Sequence, residues 1–136
     1  MKHEISAGII VYHEKEYLLL KYEGGYWGFS RGHPKNGESY KENAMRELEE
    51  ETGISNVKLK NGFEEQYEFF FKKNGVTIKK RVVFYLGEVD SKQVRLSHEH
   101  DDYCWVPYEQ AIEKLKFEEP KELLEKVEST VGKKHD

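Results

Sequence analysis

Residues 46 to 53, RELEEETG, place four carboxylates in eight positions, immediately before a glycine that is typical of a helix end. A projection at 100° per residue puts Glu47, Glu50 and Glu51 in one sector, while Glu49 points elsewhere. Such like charges oppose one another and the helix dipole, at about 0.2–1 kcal/mol each. The segment is either a solvated acidic face or a site for Mg²⁺, which binds carboxylates together with substrate phosphates.

Arg46 can offset part of this repulsion by pairing with Glu42 and Glu50, which lie four residues to either side. Gly32 and Glu38 lie upstream of this segment, with five residues between Gly32 and Glu38 and seven between Glu38 and Arg46. Nine positions of the 23-residue window 32–54 resemble the signature of the Nudix hydrolases, and they are Gly32, Glu38, Arg46, Glu47, Leu48, Glu50, Glu51, Gly53 and Ile54.

The Nudix resemblance implies an α/β fold: an α/β/α sandwich with a mixed β-sheet and a loop–helix–loop catalytic motif. It implies hydrolysis of a nucleoside diphosphate linked to another group, with Mg²⁺ as cofactor and Mn²⁺ as a substitute. Glu47, Glu50 and Glu51 match the metal ligands. Gly32 would lend its backbone to the metal site or to a tight turn, and Arg46 would orient one of the glutamates.

Two further segments, YWGFSRGH at 26–33 and RLSHEHDDYCW at 95–105, resemble the asymmetrical bis(5′-nucleosyl)-tetraphosphatases, which split diadenosine tetraphosphate into ATP and AMP. That resemblance implies a metal-binding or general-base role for Glu99, with Glu51 as the other candidate base. The substrate contacts it suggests are phosphate contacts from Arg31, His33 and Lys80 and base stacking by Phe71 and Tyr103. Ser30-Arg31 stands where the subgroup has Pro-Lys, which keeps the positive charge.

Other functions stay open. The same chemistry could remove pyrophosphate from RNA 5′ ends or from (d)NTPs, or the domain could be a non-catalytic nucleotide sensor. ADP-ribose cleavage is disfavoured because no proline lies between Pro34 and Pro107. His98 and His100 are either polar loop residues or part of a transition-metal cluster.

Composition limits the class of protein. A chain of 136 residues is the size of one domain, and a net charge of −4 disfavours DNA binding through a basic surface. The single cysteine, Cys104, excludes an intramolecular disulfide and a cysteine framework for zinc. We find no signal-peptide pattern and no apolar run of membrane-spanning length, so we expect a cytoplasmic protein that acts on a small nucleotide.

The pattern of the chain predicts a single domain over 1–131 and a tail over 132–136 that frays. Ser39 and Glu42 form a capping-box pattern, so a helix should run from there to Gly53, with Met45 among its core residues. The other expected elements are strands over 4–12, 16–22, 62–72 and 76–90, loops over 23–38 and 96–103, and helices that begin near Pro107 and Pro120.

Overall fold

The computed structural model describes residues 1–131, so the predicted fraying of 132–136 lies outside the described residues. The elements, in chain order, are β1 Lys2–His13, β2 Glu16–Tyr22, β3 Trp27–Gly28, β4 Ser30–Gly32, α1 Tyr40–Thr52, β5 Lys58–Leu59, β6 Glu65–Lys73, β7 Val76–Glu88, β8 His100–Pro107, α2 Tyr108–Lys114 and α3 Glu118–Val131. Over this range no helix is both long enough and apolar enough to span a bilayer.

The strands form one mixed sheet around a parallel pair. β1 and β7 run side by side from Lys2 opposite Ile78 to Tyr12 opposite Glu88, and the other pairings are antiparallel. β1 carries the continuous apolar run Ile9–Tyr12, as expected of a strand that is covered on both faces. The predicted mixed α/β sheet is confirmed.

Helices cover both faces of this sheet, because successive strand residues point to opposite sides. Ile10, Leu19 and Phe84 pack in one core with α2 and α3. Their neighbours Ile9 and Leu20 pack in a second core with α1. The three layers place α1 alone on its face of the sheet.

Helix α1 begins and ends where the sequence predicts. Ser39 N–H donates to Glu42 Oε1 at 2.9 Å, and Glu42 N–H donates to Ser39 Oγ at 3.1 Å. Gly53 adopts a left-handed φ of 77° and donates its N–H to Glu49 O at 2.8 Å. Met45 is only partly buried, whereas Glu51, a carboxylate, is on the buried face.

Three local expectations from the sequence were wrong or incomplete. The glycine-rich loop contains β3 and β4, and β5 had no sequence signal strong enough to predict it. The loop expected over 96–103 ends at Glu99, because β8 pairs with β2 from His100 onward. Pairing with a neighbouring strand overrides the polar composition of this stretch.

Candidate active site

An acidic groove of about 420 Å³ lies where the end of α1 meets β4 and the loop before β8. Its walls are Ser6, Tyr22, Arg31, Gly32, His33, Glu47, Glu50, Glu51, Lys80, Glu99 and His100. Eight of the eleven residues expected to form the site are among them. Arg46 lies behind the groove, and Phe71 and Tyr103 lie outside it.

Glu51 is the most buried carboxylate of the groove, with 3% of its surface exposed. Ser30 Oγ donates a hydrogen bond to its Oε1 at 2.6 Å. Burial raises the pKa of Glu51 to about 8, the Ser30 hydrogen bond opposes that rise, and the charges of Glu47 and Glu99 add to it. Burial also raises the pKa of Glu47. The groove therefore holds negative charge at a cost, which a cation would remove.

Arg46 holds the carboxylates of the groove in place. Its guanidinium donates to Glu38 at 2.6 and 3.1 Å, to Glu47 at 3.0 Å and to Glu50 at 3.0 and 3.1 Å. It also donates to the carbonyl of His33 at 2.8 Å, which ties the loop before α1 to the helix. These ion pairs raise the pKa of Arg46, and the pKa of Glu38 is lowered.

The expected pairing of Arg46 with Glu42 was wrong, because Glu42 is engaged in the helix cap. Glu38, from the loop, takes its place. Only the planar five-donor fork of arginine can serve this many acceptors at once.

Gly32 makes room for a glutamate. A Cβ built on Gly32 would lie 2.1 Å from the carboxyl carbon of Glu47, closer than any side chain allows. Backbone φ is not the reason for glycine here, since it does not lie in the left-handed region. Gly32 is therefore needed for the approach of Glu47 to the backbone of β4.

The loop that carries Glu99 is tied to the end of α1. Arg95 N–H donates to Thr52 O at 2.9 Å, and Ser97 N–H donates to Glu51 O at 3.0 Å. These bonds satisfy carbonyls that a helix end leaves open. They also set Glu99 beside the groove, although it is about fifty residues from Glu47 in sequence.

His100 is a residue whose placement the sequence did not reveal. Its ring packs edge-on against Tyr22, with centroids 4.6 Å apart, and Nε2 lies 3.7 Å from Glu51 Oε2. Neither ring nitrogen has a hydrogen-bond partner within residues 1–131, and burial lowers the pKa of His100. The repeated His–Glu–His spacing was the available signal.

Lys80 and His33 also line the groove, Lys80 from β7 and His33 from the residue that follows β4. Lys80 is 6% exposed, with Nζ 3.6 Å from Glu4 Oε1, and burial lowers its pKa. His33 Nδ1 lies 3.2 Å from the carbonyl of Ile5. Both can turn a nitrogen toward an anion in the groove.

The carboxylates match a divalent metal in chemical type, since hard cations prefer oxygen ligands. The close approach at Gly32 and the burial of Glu51 also fit a site built for a positive charge. Over residues 1–131, however, no three His, Cys, Asp or Glu side chains already converge as a ligand set. Glu47 and Glu50 point to Arg46, so a cation would have to draw them away.

An aromatic cavity of about 430 Å³ lies beside the groove, on the face of the sheet covered by α2 and α3. Its walls are Tyr26, Trp27, Gly28, Phe29, Arg31, Tyr67, Phe69, Phe70, Phe84, Phe117, Glu119 and Pro120. Arg31 lines both the cavity and the groove. The two spaces therefore adjoin at one guanidinium.

The two aromatic residues named from the sequence do not line this cavity. Phe71 continues the row of rings on β6, with its centroid 6.0 Å from that of Phe69. Tyr103 is opposite Leu20, whose side chain packs in the α1 core, and directly paired residues share a face. Tyr103 therefore points away from the cavity.

Comparisons with known proteins agree on one family. The NUDIX domain model matches residues 2–127. The asymmetrical bis(5′-nucleosyl)-tetraphosphatase of Rattus norvegicus is 35% identical over 116 residues, which cover 81% of this chain and 76% of the rat protein. The Caenorhabditis elegans protein of that name is 30% identical over 128 residues, which cover 89% of this chain and 91% of the C. elegans protein. A crystal structure of a C. elegans Ap4A hydrolase binary complex superposes with a TM-score of 0.83 at 28% identity, covering 95% of this chain and 98% of that one.

Proposed function

This chain belongs to the Nudix family and is a Nudix hydrolase, and from that premise we propose that it hydrolyses a dinucleoside tetraphosphate asymmetrically. Diadenosine tetraphosphate would give ATP and AMP. The observation that carries the proposal is the position of Arg31, which lines the acidic groove and the aromatic cavity together. A ligand with a flat base at one end and a chain of phosphates can occupy both spaces at once.

The aromatic cavity is suited to the base. Stacking on aromatic side chains contributes about 1–3 kcal/mol per base. Tyr67 lies nearly parallel to Phe84, with centroids 5.8 Å apart, so these rings already stand as a stack. The exposed ring of Phe117 at the rim would close on a bound base. Phe71 and Tyr103 stay predictions for base stacking, with less support from their positions.

The phosphates would lie along the cationic side of the groove. Arg31, His33 and Lys80 are the groups that would contact them, because all three line the groove together with the carboxylates of α1. Lys80 is buried, its Nζ lies 3.6 Å from Glu4 Oε1, and the charge of Arg31 acts against its own, so a bound phosphate would give it a strong partner.

Glu47, Glu50, Glu51 and Glu99 would hold the divalent cation, Mg²⁺ or Mn²⁺, with Gly32 supplying the close backbone approach. The cation would neutralise phosphate charge and acidify a water molecule. Arg46 would position Glu47 and Glu50 as it does in the structure.

In the proposed reaction the oxygen of water bonds to a phosphorus, the bond from that phosphorus to the bridging oxygen breaks, and the water proton passes to a carboxylate. Glu51 and Glu99 are the two candidate bases. Glu51 has the stronger support, since Ser30 fixes one of its oxygens and its raised pKa makes it a better proton acceptor once ionised.

Product analysis by ion-exchange chromatography tests this proposal. Diadenosine tetraphosphate, 5′-triphosphorylated RNA, dNTPs and ADP-ribose would each be incubated with the protein and Mg²⁺. We expect equal amounts of ATP and AMP, formed faster than any other product. Two molecules of ADP would contradict asymmetrical cleavage, and faster release of pyrophosphate from RNA or dNTPs would contradict the substrate.

A third outcome, binding of nucleotide without turnover of any of these compounds, would favour a nucleotide-sensing domain. Location in the cytoplasm and the single-domain boundary at residue 131 stay predictions, which cell fractionation and a chain truncated after Val131 would check.

A further inference from the structure

Among the described residues, two charged side chains line the aromatic cavity, Arg31 and Glu119. Arg31 also lines the acidic groove, whereas Glu119 lines the cavity alone. A nucleotide with its phosphates in the groove near Arg31 and its base in the cavity would share that cavity with Glu119. One charged residue of the cavity is therefore shared with the groove, and the other belongs to the cavity alone.

Glu119 has no structural partner that explains its position. It is partly buried, and within residues 1–131 it makes no side-chain hydrogen bond or ion pair. The nearby carboxylate also contributes to the raised pKa of Tyr67, after burial, which is the main cause.

The helix dipole explains why an acidic residue stands at this end of α3, but it does not explain why the residue lines the cavity. Glu118 and Glu119 both lie in the first turn, where a negative charge is favourable. Glu118 is exposed and does not line the cavity, whereas Glu119 is partly buried and lines it. The dipole would be equally satisfied if both pointed to water.

We propose that Glu119 reads the edge of the base and selects guanine over adenine, an inference that rests on the proposed nucleotide site. A carboxylate can only accept hydrogen bonds. Guanine offers N1–H and N2–H₂ side by side, so both carboxylate oxygens gain a donor. Adenine offers N6–H₂ beside the lone pair of N1, so one oxygen faces another acceptor. The preferred substrates are then guanine-containing dinucleoside tetraphosphates.

Binding of GMP, IMP and AMP to the metal-free protein in EDTA tests this directly, because no hydrolysis is involved. Trp27 lines the cavity and its fluorescence reports occupancy. IMP keeps the N1–H donor and lacks the N2 amino group. We expect GMP to bind most tightly and AMP most weakly, with a ratio of about tenfold between their dissociation constants.

Glu119→Gln should abolish this order, because an amide can donate to N1 of adenine as well as accept from N6. Glu118→Gln is the matched control, and it should leave the ratio unchanged. The same ratio should appear in kcat/KM for diguanosine against diadenosine tetraphosphate, and should fall about tenfold in Glu119→Gln only.

Equal binding of GMP and AMP, or a ratio that survives Glu119→Gln, would overturn the assignment of Glu119 and leave asymmetrical cleavage untouched. A guanine preference that depends on Glu119, in a protein that forms no nucleoside triphosphate from either dinucleotide, would overturn the proposed reaction and support the base-reading role.

Discussion

The acidic groove and the aromatic cavity differ in what holds their side chains in place. The groove depends on ion pairs centred on Arg46, and it keeps a buried carboxylate, Glu51, at a cost in free energy. The cavity depends on ring packing, such as Phe29 edge-on to Phe84 at 5.7 Å, which is favourable without any ligand. One region is complete as it stands, and the other needs a positive charge.

This contrast implies that binding of the base and hydrolysis of the phosphates are separable. On the proposed function, a nucleotide base could enter the cavity in the absence of metal, whereas turnover would require a cation in the groove. Changes in the groove should therefore act on kcat, and changes in the cavity on KM.

Substitution Glu51→Gln should have the largest effect on the groove. The amide keeps the shape of the side chain but cannot accept the proton or bind a cation as a carboxylate does. We expect kcat to fall by at least about 10³-fold, while nucleotide binding in EDTA is retained. Steady-state kinetics with diadenosine tetraphosphate checks this.

Glu49→Gln, on the exposed side of α1, is the control and should keep full activity. A Glu51→Gln variant with most of its activity would remove Glu51 from the mechanism and leave Glu99 as the base.

The pH dependence of stability is the next effect in size. In the metal-free protein the folded state holds the Glu51 proton up to about pH 8, whereas the unfolded chain releases it near 4.5. The unfolded state therefore binds fewer protons between these values, and the free energy of unfolding falls as pH rises, by about 5 kcal/mol. Urea titrations in EDTA across this range measure the fall.

Glu51→Gln should lack most of that fall, and Mg²⁺ should reduce it in the wild type. A free energy of unfolding that is flat between these pH values would mean that Glu51 is ionised in the folded protein, and that the groove carries no cost.

Gly32→Ala should give a smaller loss, confined to the groove. The added Cβ meets the carboxyl group of Glu47, which must move aside, and a displacement of this size costs about 10²-fold in kcat. The thermal midpoint should change little, since the clash is with the end of a flexible side chain.

Gly8→Ala is the instructive contrast. There the Cβ would lie 2.1 Å from the backbone carbonyl of Ser30, so we expect loss of stability instead. If Gly32→Ala melted as early as Gly8→Ala, its role would be structural.

Phe117→Ala, at the rim of the cavity, should have the smallest effect. Phe117 is 54% exposed, so its removal should cost little stability, but it lines the space offered to the base. We expect KM to rise about tenfold with kcat unchanged. Val76→Ala, an exposed apolar residue that does not line the cavity, is the control. A fall in kcat of Phe117→Ala as large as its rise in KM would show that base binding and hydrolysis are not separable.

The sequence predicted the groove far better than the cavity, for a physical reason. Five of the eleven groove residues lie in one window, 32–54, where helix periodicity alone brings Glu47, Glu50 and Glu51 together. Glu99 came from the resemblance of a second segment. What the sequence missed here was the partner of Arg46, because Glu38 reaches it through a loop whose path has no periodicity.

The cavity comes from four separate parts of the chain, namely 26–31, 67–70, Phe84 and 117–120. Aromatic residues on a strand predict a core equally well, so nothing in their spacing distinguishes a wall of a cavity from packed interior. The choice of Phe71 over Phe69 depended on a register that only the pairing of β6 with β7 defines. Glu119 had no signal in the sequence, since a first-turn acid is ordinary.

The backbone hydrogen bonds between the loop at 95–97 and the last carbonyls of α1 have a consequence for folding during synthesis. Helix α1 leaves the ribosome about 45 residues before the segment that closes its end, and that closure must await a long loop. The nascent chain thus carries its signature helix without the neighbour that delivers Glu99. On the proposed role of Glu99, we expect hydrolysis only after the segment that carries Glu99 has been synthesised and has bound the end of α1.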